Sequence, residues 1–140
     1  MKQHITHRWF SVVLAMVLFT GIVRAGSDED LAKGRAELAA QIERNVEAGA
    51  ELMAVARAQL PDFDEETRRQ FLQIEQAVRS AETRLRRGLK SAQAASTENW
   101  SRARTSLAAN FEAYAQAIAQ AERLVALGPA ASDREDSPRK

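Results

Sequence analysis

Residues 63–95 read FDEETRRQFLQIEQAVRSAETRLRRGLKSAQAA, and the spacing of the apolar residues in this stretch decides the fold. Phe71, Val78, Leu85 and Ala92 recur every seventh residue, and Thr67, Ile74, Ala81, Gly88 and Ala95 form a second row at the same interval. Two interleaved rows with a mean spacing of about 3.5 residues put one narrow stripe on a helix, and that period predicts left-handed, coiled-coil-like packing. One row is bulky and the other small, so a neighbouring helix is expected to approach closely. Just before it, Pro61-Asp62-Phe63-Asp64-Glu65-Glu66 reads as a turn and a helix start. Asp62 and Glu65 form a capping-box-like pair, the acids suit the positive helix end, and Phe63, exposed in the turn, is expected to staple the helix entrance.

The same periodicity extends in both directions. From Leu31 to Leu60 the apolar and small residues Leu38, Ile42, Val46, Gly49, Met53 and Ala56 keep helical spacing, while Glu37, Arg44, Glu47, Glu51 and Arg57 mostly fall elsewhere on the wheel. This predicts an amphipathic helix capped by Ser27 or Asp28 and stopped by Pro61. After the capping residues Ser96-Thr97-Glu98-Asn99, Trp100, Leu107, Tyr114 and Ala121 make one row and Phe111, Ile118 and Val125 another. Arg104 fills the remaining place as a snorkelling cation. Leu127-Gly128-Pro129 is the expected stop. No stretch alternates as a strand does.

The predicted fold is therefore an all-α, antiparallel three-helix bundle over residues 26–128, with helices at about 28–60, 63–95 and 97–127 and a disordered tail over 129–140. In architecture it resembles a spectrin-type three-helix unit, a likeness that carries no function. It also has the general look of small periplasmic helical chaperones of the envelope-stress type. Those carry a repeated Leu-Thr-x-x-Gln motif, of which this chain has no copy; Arg69-Gln70-Phe71-Leu72-Gln73 is similar only superficially.

The N-terminus carries a different signal. Met1 to Arg8 is polar and basic, Trp9 to Val23 has no charge, and Val23-Arg24-Ala25 puts small residues before Gly26. Basic start, apolar middle and small-residue exit predict a secretory signal peptide over residues 1–25, cleaved between Ala25 and Gly26. The uncharged run is shorter than the roughly 20 residues of a spanning helix. The short basic start is bacterial in style, so the periplasm is the expected destination; an uncleaved segment would instead anchor the chain in the inner membrane. Cleavage removes Lys2, Arg8 and Arg24, leaving 17 basic and 19 acidic residues. It also removes both histidines.

That loss narrows the chemistry. With neither His nor Cys, the mature chain lacks the commonest general base, the thiol nucleophile and the usual zinc ligands. The acids cluster at helix starts, as Asp28-Glu29-Asp30 and Asp62 to Glu66, without the glycine-centred loop of a calcium site. The glycines are too scattered for a phosphate loop. No enzyme activity, cofactor or metal is expected.

Charge is the most informative surface feature. Residues 28–66 hold 11 acidic and 4 basic side chains, and residues 68–104 hold 9 basic and 3 acidic. Arg84, Arg86, Arg87 and Lys90 crowd the end of the second helix, with Arg102 and Arg104 across the turn. Two readings compete: neutralisation by the helix C-terminus and by Asp28-Glu29-Asp30 at the same end of the bundle, or a patch for an anionic envelope component or an acidic protein. Nucleic acid is not an expected partner, since the mature charge is slightly negative. Trp100, Phe111 and Tyr114 are read as core. The Ala- and Gly-rich seams make the core thin, so monomer and homodimer both stay open.

The leading expectation is a non-enzymatic, exported binding or scaffolding protein of the cell envelope, with membrane contact compatible. The alternatives are a periplasmic chaperone or lipid-binding carrier that exposes an amphipathic face, and a membrane-anchored coiled-coil spacer.

Overall fold

The computed structural model of the chain describes residues 28–135, and among them there are three packed helices and no strand. Helix α1 spans Asp28–Ala58, α2 spans Glu65–Ala94 and α3 spans Thr97–Glu135. A 3-10 turn, Leu60–Asp62, joins α1 to α2. The all-α three-helix bundle is thus the fold. The signal peptide, its cleavage at Ala25–Gly26 and the Ser27 cap lie outside the described residues.

Cross-helix contacts fix the register. Arg35 reaches the carbonyls of Gln93 and Ala95, Glu43 meets Arg86, and Arg57 meets Glu75. Numbers rising along α1 fall along α2, so the two are antiparallel. The two-residue link sets the end of α2 beside the start of α3, and Gly88, six residues before that end, faces Leu107, ten residues after that start, so α2 and α3 are antiparallel as well. Helix α1 runs parallel to α3: Arg35 lies over the Trp100 ring, and farther on the Tyr114 hydroxyl donates to the Val46 carbonyl at 3.4 Å.

The bulky row of α2 behaves as its spacing requires. Phe71, Val78, Leu85 and Ala92 are all buried, and Leu89 joins them, while Thr67, Ile74, Gly88 and Ala95 on the small row are half-buried. From α1 come Ile42, Val46, Leu52, Met53 and Ala56, and from α3 Trp100, Leu107, Phe111, Tyr114, Ile118 and Ala121. Phe71, Ile42, Leu85 and Leu107 are the largest fully buried side chains, each contributing about 1.5–3 kcal/mol from removal of apolar surface from water. Helices α2 and α3 lie closest together. Helix α1 stands farther off along most of its length.

Two glycines set the close approaches. A Cβ on Gly88 would stand 2.7 Å from the Asn110 amide nitrogen, and one on Gly49 would overlap the Tyr114 hydroxyl. By contrast, nothing lies within 4 Å of a Cβ built on Gly34.

Three details depart from the sequence expectation. The cap of α2 is Asp64, whose carboxylate accepts from the Thr67 backbone N–H at 2.6 Å, and not Asp62. Pro61 winds Leu60–Asp62 into a 3-10 turn, which moves the helix start two residues on. Arg68 ties that turn down by donating to the carbonyls of Leu60 and Phe63. Phe63 is 3% exposed, so the staple is an enclosed one. Finally, α3 passes Gly128–Pro129 and continues to Glu135. Proline there forfeits one i→i−4 bond, while Ala126, Ala130 and Ala131 around it are the strongest helix formers. Residues 136–140 of the expected tail lie outside the described residues.

Candidate functional site

The cations at the end of α2 divide between two faces of the α2–α3 pair. Arg84, Arg87, Gly88 and Ser91 follow one another at helical i, i+3, i+4, i+7 spacing, so they share a stripe of α2. Asn99, Arg102, Ala103, Ser106 and Asn110 do the same on α3. The two stripes wall an open groove of about 650 Å³ to which α1 contributes nothing. Its floor is narrow because Gly88 has no side chain, and the Asn110 amide lies against that backbone.

Three guanidiniums line this groove and, among the described residues, no carboxylate does. Among the described residues none of Arg84, Arg87 and Arg102 has an acidic group within 4 Å. The rest of the lining is Ser91, Ser106, Asn99 and Asn110, with Gly88, Ala95 and Ala103 as its apolar part. Ser96 Oγ accepts from the Asn99 backbone N–H at 3.3 Å and from its side-chain amide at 3.1 Å, which holds Asn99 at the groove's end.

Arg86 points the other way. It donates to Glu82 at 2.8 Å and to Glu43 on α1 at 3.2 Å. Its hydrogen bond to Glu82 holds its pKa above the ordinary arginine value, with burial opposing and the charge of Glu43 adding. This cation is occupied in joining α1 to α2. Lys90 is exposed and Arg104 half-buried, and neither lines the groove. Of the six cations singled out by the sequence, the fold therefore assembles three. The ion pair that neutralises one of the others runs through Glu43 and Glu82, in the middle of the helices.

The sequence reading missed Arg35. This half-buried residue of α1 reaches the last carbonyls of α2, donating to Gln93 O at 3.1 Å and to Ala95 O, while its guanidinium carbon sits 5.0 Å from the Trp100 ring centroid. Cations suit a helix C-terminus and an aromatic face, so one side chain serves both. A signal was present: Arg35 stands between Leu31 and Leu38, inside the apolar stripe.

Two other grooves are charge-balanced. One joins Asp28 and Arg35 at the end of the bundle, and the other sets Arg57 and Arg79 beside Glu75 and Glu82. Among the described residues no group of three or more acidic side chains is placed to hold a metal ion, and no helix is long and apolar enough to cross a membrane. No family model, no curated protein and no solved structure matches the chain.

Proposed function

We propose that the chain is an exported, non-enzymatic binding protein of the bacterial cell envelope, and that an anionic partner sits in the outer α2–α3 groove. The observation that carries this reading is the set of Arg84, Arg87 and Arg102, without an acidic partner among the described residues, in one groove. Uncompensated cations lining a concave surface attract anions over several ångströms and reward those that desolvate them. The groove offers no base–nucleophile pair, in keeping with a mature chain that has neither His nor Cys. Export rests on the basic, apolar and small-residue pattern that ends at Ala25.

A carrier that opens its seam is the less supported reading. Trp100, Phe111 and Tyr114 are 8%, 3% and 2% exposed, so they meet a ligand only after α1 has left.

Loss of any three cations takes the full chain's formal net charge from +1 to −2 and weakens retention on a sulfonate resin, so a charge-matched variant outside the groove serves as the reference. A variant carrying Arg84→Gln, Arg87→Gln and Arg102→Gln is expected to elute at lower salt than one carrying Lys33→Gln, Arg44→Gln and Arg123→Gln, three exposed cations outside the groove. The reading fails if the two triple variants elute together. Export is checked separately by N-terminal sequencing of protein from the periplasmic fraction, where Gly26 is the expected first residue.

A further inference from the structure

We infer that the groove's ligand is a polyol carrying phosphate esters at more than one position; this rests on the groove being the binding site. Three features of the lining select that chemistry. All its cations are arginines, whose planar forks match the oxygens of phosphate two at a time. Its neutral polar groups are two hydroxyls and two amides, from Ser91, Ser106, Asn99 and Asn110, which pair with sugar or polyol hydroxyls in either sense. It has no apolar side chain larger than alanine, so it has no seat for an acyl chain, an aromatic ring or the side chains of a peptide.

The register adds the second phosphate. Gly88 lies opposite Leu107 and Asn110, so in this antiparallel pair Arg84 and Asn110 stand towards one end. Arg102 and Asn99 stand towards the other, with Arg87, Ser106 and Ser91 between. Arg84 and Arg102 are thus separated by about nine residues of rise, about 14 Å along the helices. One phosphate meets both ends only if both long side chains lean towards each other, whereas a phosphate near each end lets them stay extended. A ligand with a phosphate near each end and hydroxyls between them uses every polar group of the lining. The groove's volume of about 650 Å³ falls within the roughly 300–1,000 Å³ of small-molecule sites.

The test is a chemical-shift titration of the full chain with fructose bisphosphate, fructose monophosphate and fructose. Fructose bisphosphate is expected to bind saturably, moving the amides of Gly88, Asn99 and Ala103, and at least about tenfold more tightly than the monophosphate. Arg84→Gln and Arg102→Gln, at opposite ends, should each weaken the bisphosphate about tenfold, to the level of the monophosphate. Arg86→Gln should leave its affinity within about twofold, since Arg86 faces α1. All three arginines are exposed, and unchanged far-ultraviolet circular dichroism confirms that each variant folds.

Two vesicle arms separate the sources of such a group. Cardiolipin carries two phosphates on one glycerol, and phosphatidylglycerol carries one. Preference for cardiolipin at equal total charge, abolished by either end variant, assigns the group to a lipid headgroup. Binding of soluble bisphosphate without that preference assigns it to a free metabolite. Both outcomes uphold the inference. Equal affinity for mono- and bisphosphate, indifference to the end variants, or tighter binding of an aspartate-rich peptide overturns it. If any of these occurs while the groove triple variant still elutes from the sulfonate resin before the charge-matched one, the groove remains an anion site and only the ligand assignment falls.

Discussion

Replacing Gly49 by alanine tests how α1 is seated. At an open helix position Gly→Ala is stabilising by roughly 0.5–1 kcal/mol, because alanine restricts the unfolded chain. Gly34 is such a position, with nothing within 4 Å of an added Cβ. At Gly49 the same methyl group would overlap the Tyr114 hydroxyl and stand 3.0 Å from Ile118 Cδ1 and 3.1 Å from Tyr114 Cζ. Tyr114 is 2% exposed, so its ring has nowhere to go unless α1 lifts. Overpacking of this kind costs about 1–3 kcal/mol, and two separate groups in the way place it in the upper part of that range. After the propensity gain, the net loss is about 1–2 kcal/mol. For a domain of this size that lowers Tm by about 5–15 °C, whereas Gly34→Ala raises it by about 3–6 °C. Thermal unfolding followed by far-ultraviolet circular dichroism reads both. Tyr114→Phe removes the overlapping oxygen, so the Gly49→Ala, Tyr114→Phe double variant should regain at least about 0.5 kcal/mol relative to additivity. A Gly49→Ala protein as stable as Gly34→Ala would refute the seating of Tyr114 over the α1 backbone.

Three further outcomes follow from the same contacts. Tyr114 is the chain's one tyrosine, and burial, with the charge of Glu82 adding, pushes its pKa up from 10.0 to about 12. A raised pKa means full stability below pH 10 and loss as pH climbs towards 12, about 2–3 kcal/mol in all, and tyrosinate absorbance should titrate near 12 folded and near 10 in denaturant. Glu75 is held below the ordinary carboxylate pKa first by its hydrogen bond from Arg57 and then, against burial, by the charges of Arg57 and Arg79. Its contribution is present above 4.5 and lost as pH falls through the lowered value. Because Arg57 is 53% exposed, Arg57→Gln should cost only about 0.5–1 kcal/mol at neutral pH and less in acid, as read by denaturant midpoints. Arg35→Gln removes two bonds to carbonyls and a ring contact. It should cost about 1–2 kcal/mol and speed amide exchange at the start of α1, with a changed Trp100 environment in fluorescence.

The rows of large and small residues in α2 and α3 were sufficient to state the fold, because a stripe repeating every seven residues has few ways to be buried. The site was only half legible. Arg84, Arg86 and Arg87 look alike in a run of cations, yet Arg86 stands about 200° around the wheel from Arg84, and that rotation turns it to Glu43. Periodicity alone does not say which side of a helix pair the third helix will cover, and that choice separates groove from ion pair. Arg35 escaped notice for a related reason. Its partners are backbone carbonyls of Gln93 and Ala95, which every sequence has. The α2 cap moved to Asp64 because a proline in a short turn adds residues that helical spacing cannot count.

The uneven spacing of the three helices carries a kinetic consequence. Helices α2 and α3 are joined by two residues and meet closely, so their contacts form after little loop closure. The contacts that seat α1 link residues as far apart as Val46 and Tyr114. A folding nucleus built from the α2–α3 hairpin, with α1 docking after the barrier, is the order this favours. Perturbations of α1, Gly49→Ala among them, then appear as faster unfolding with an almost unchanged folding rate. The outer groove, made wholly of the early hairpin, would be in place before the last helix arrives.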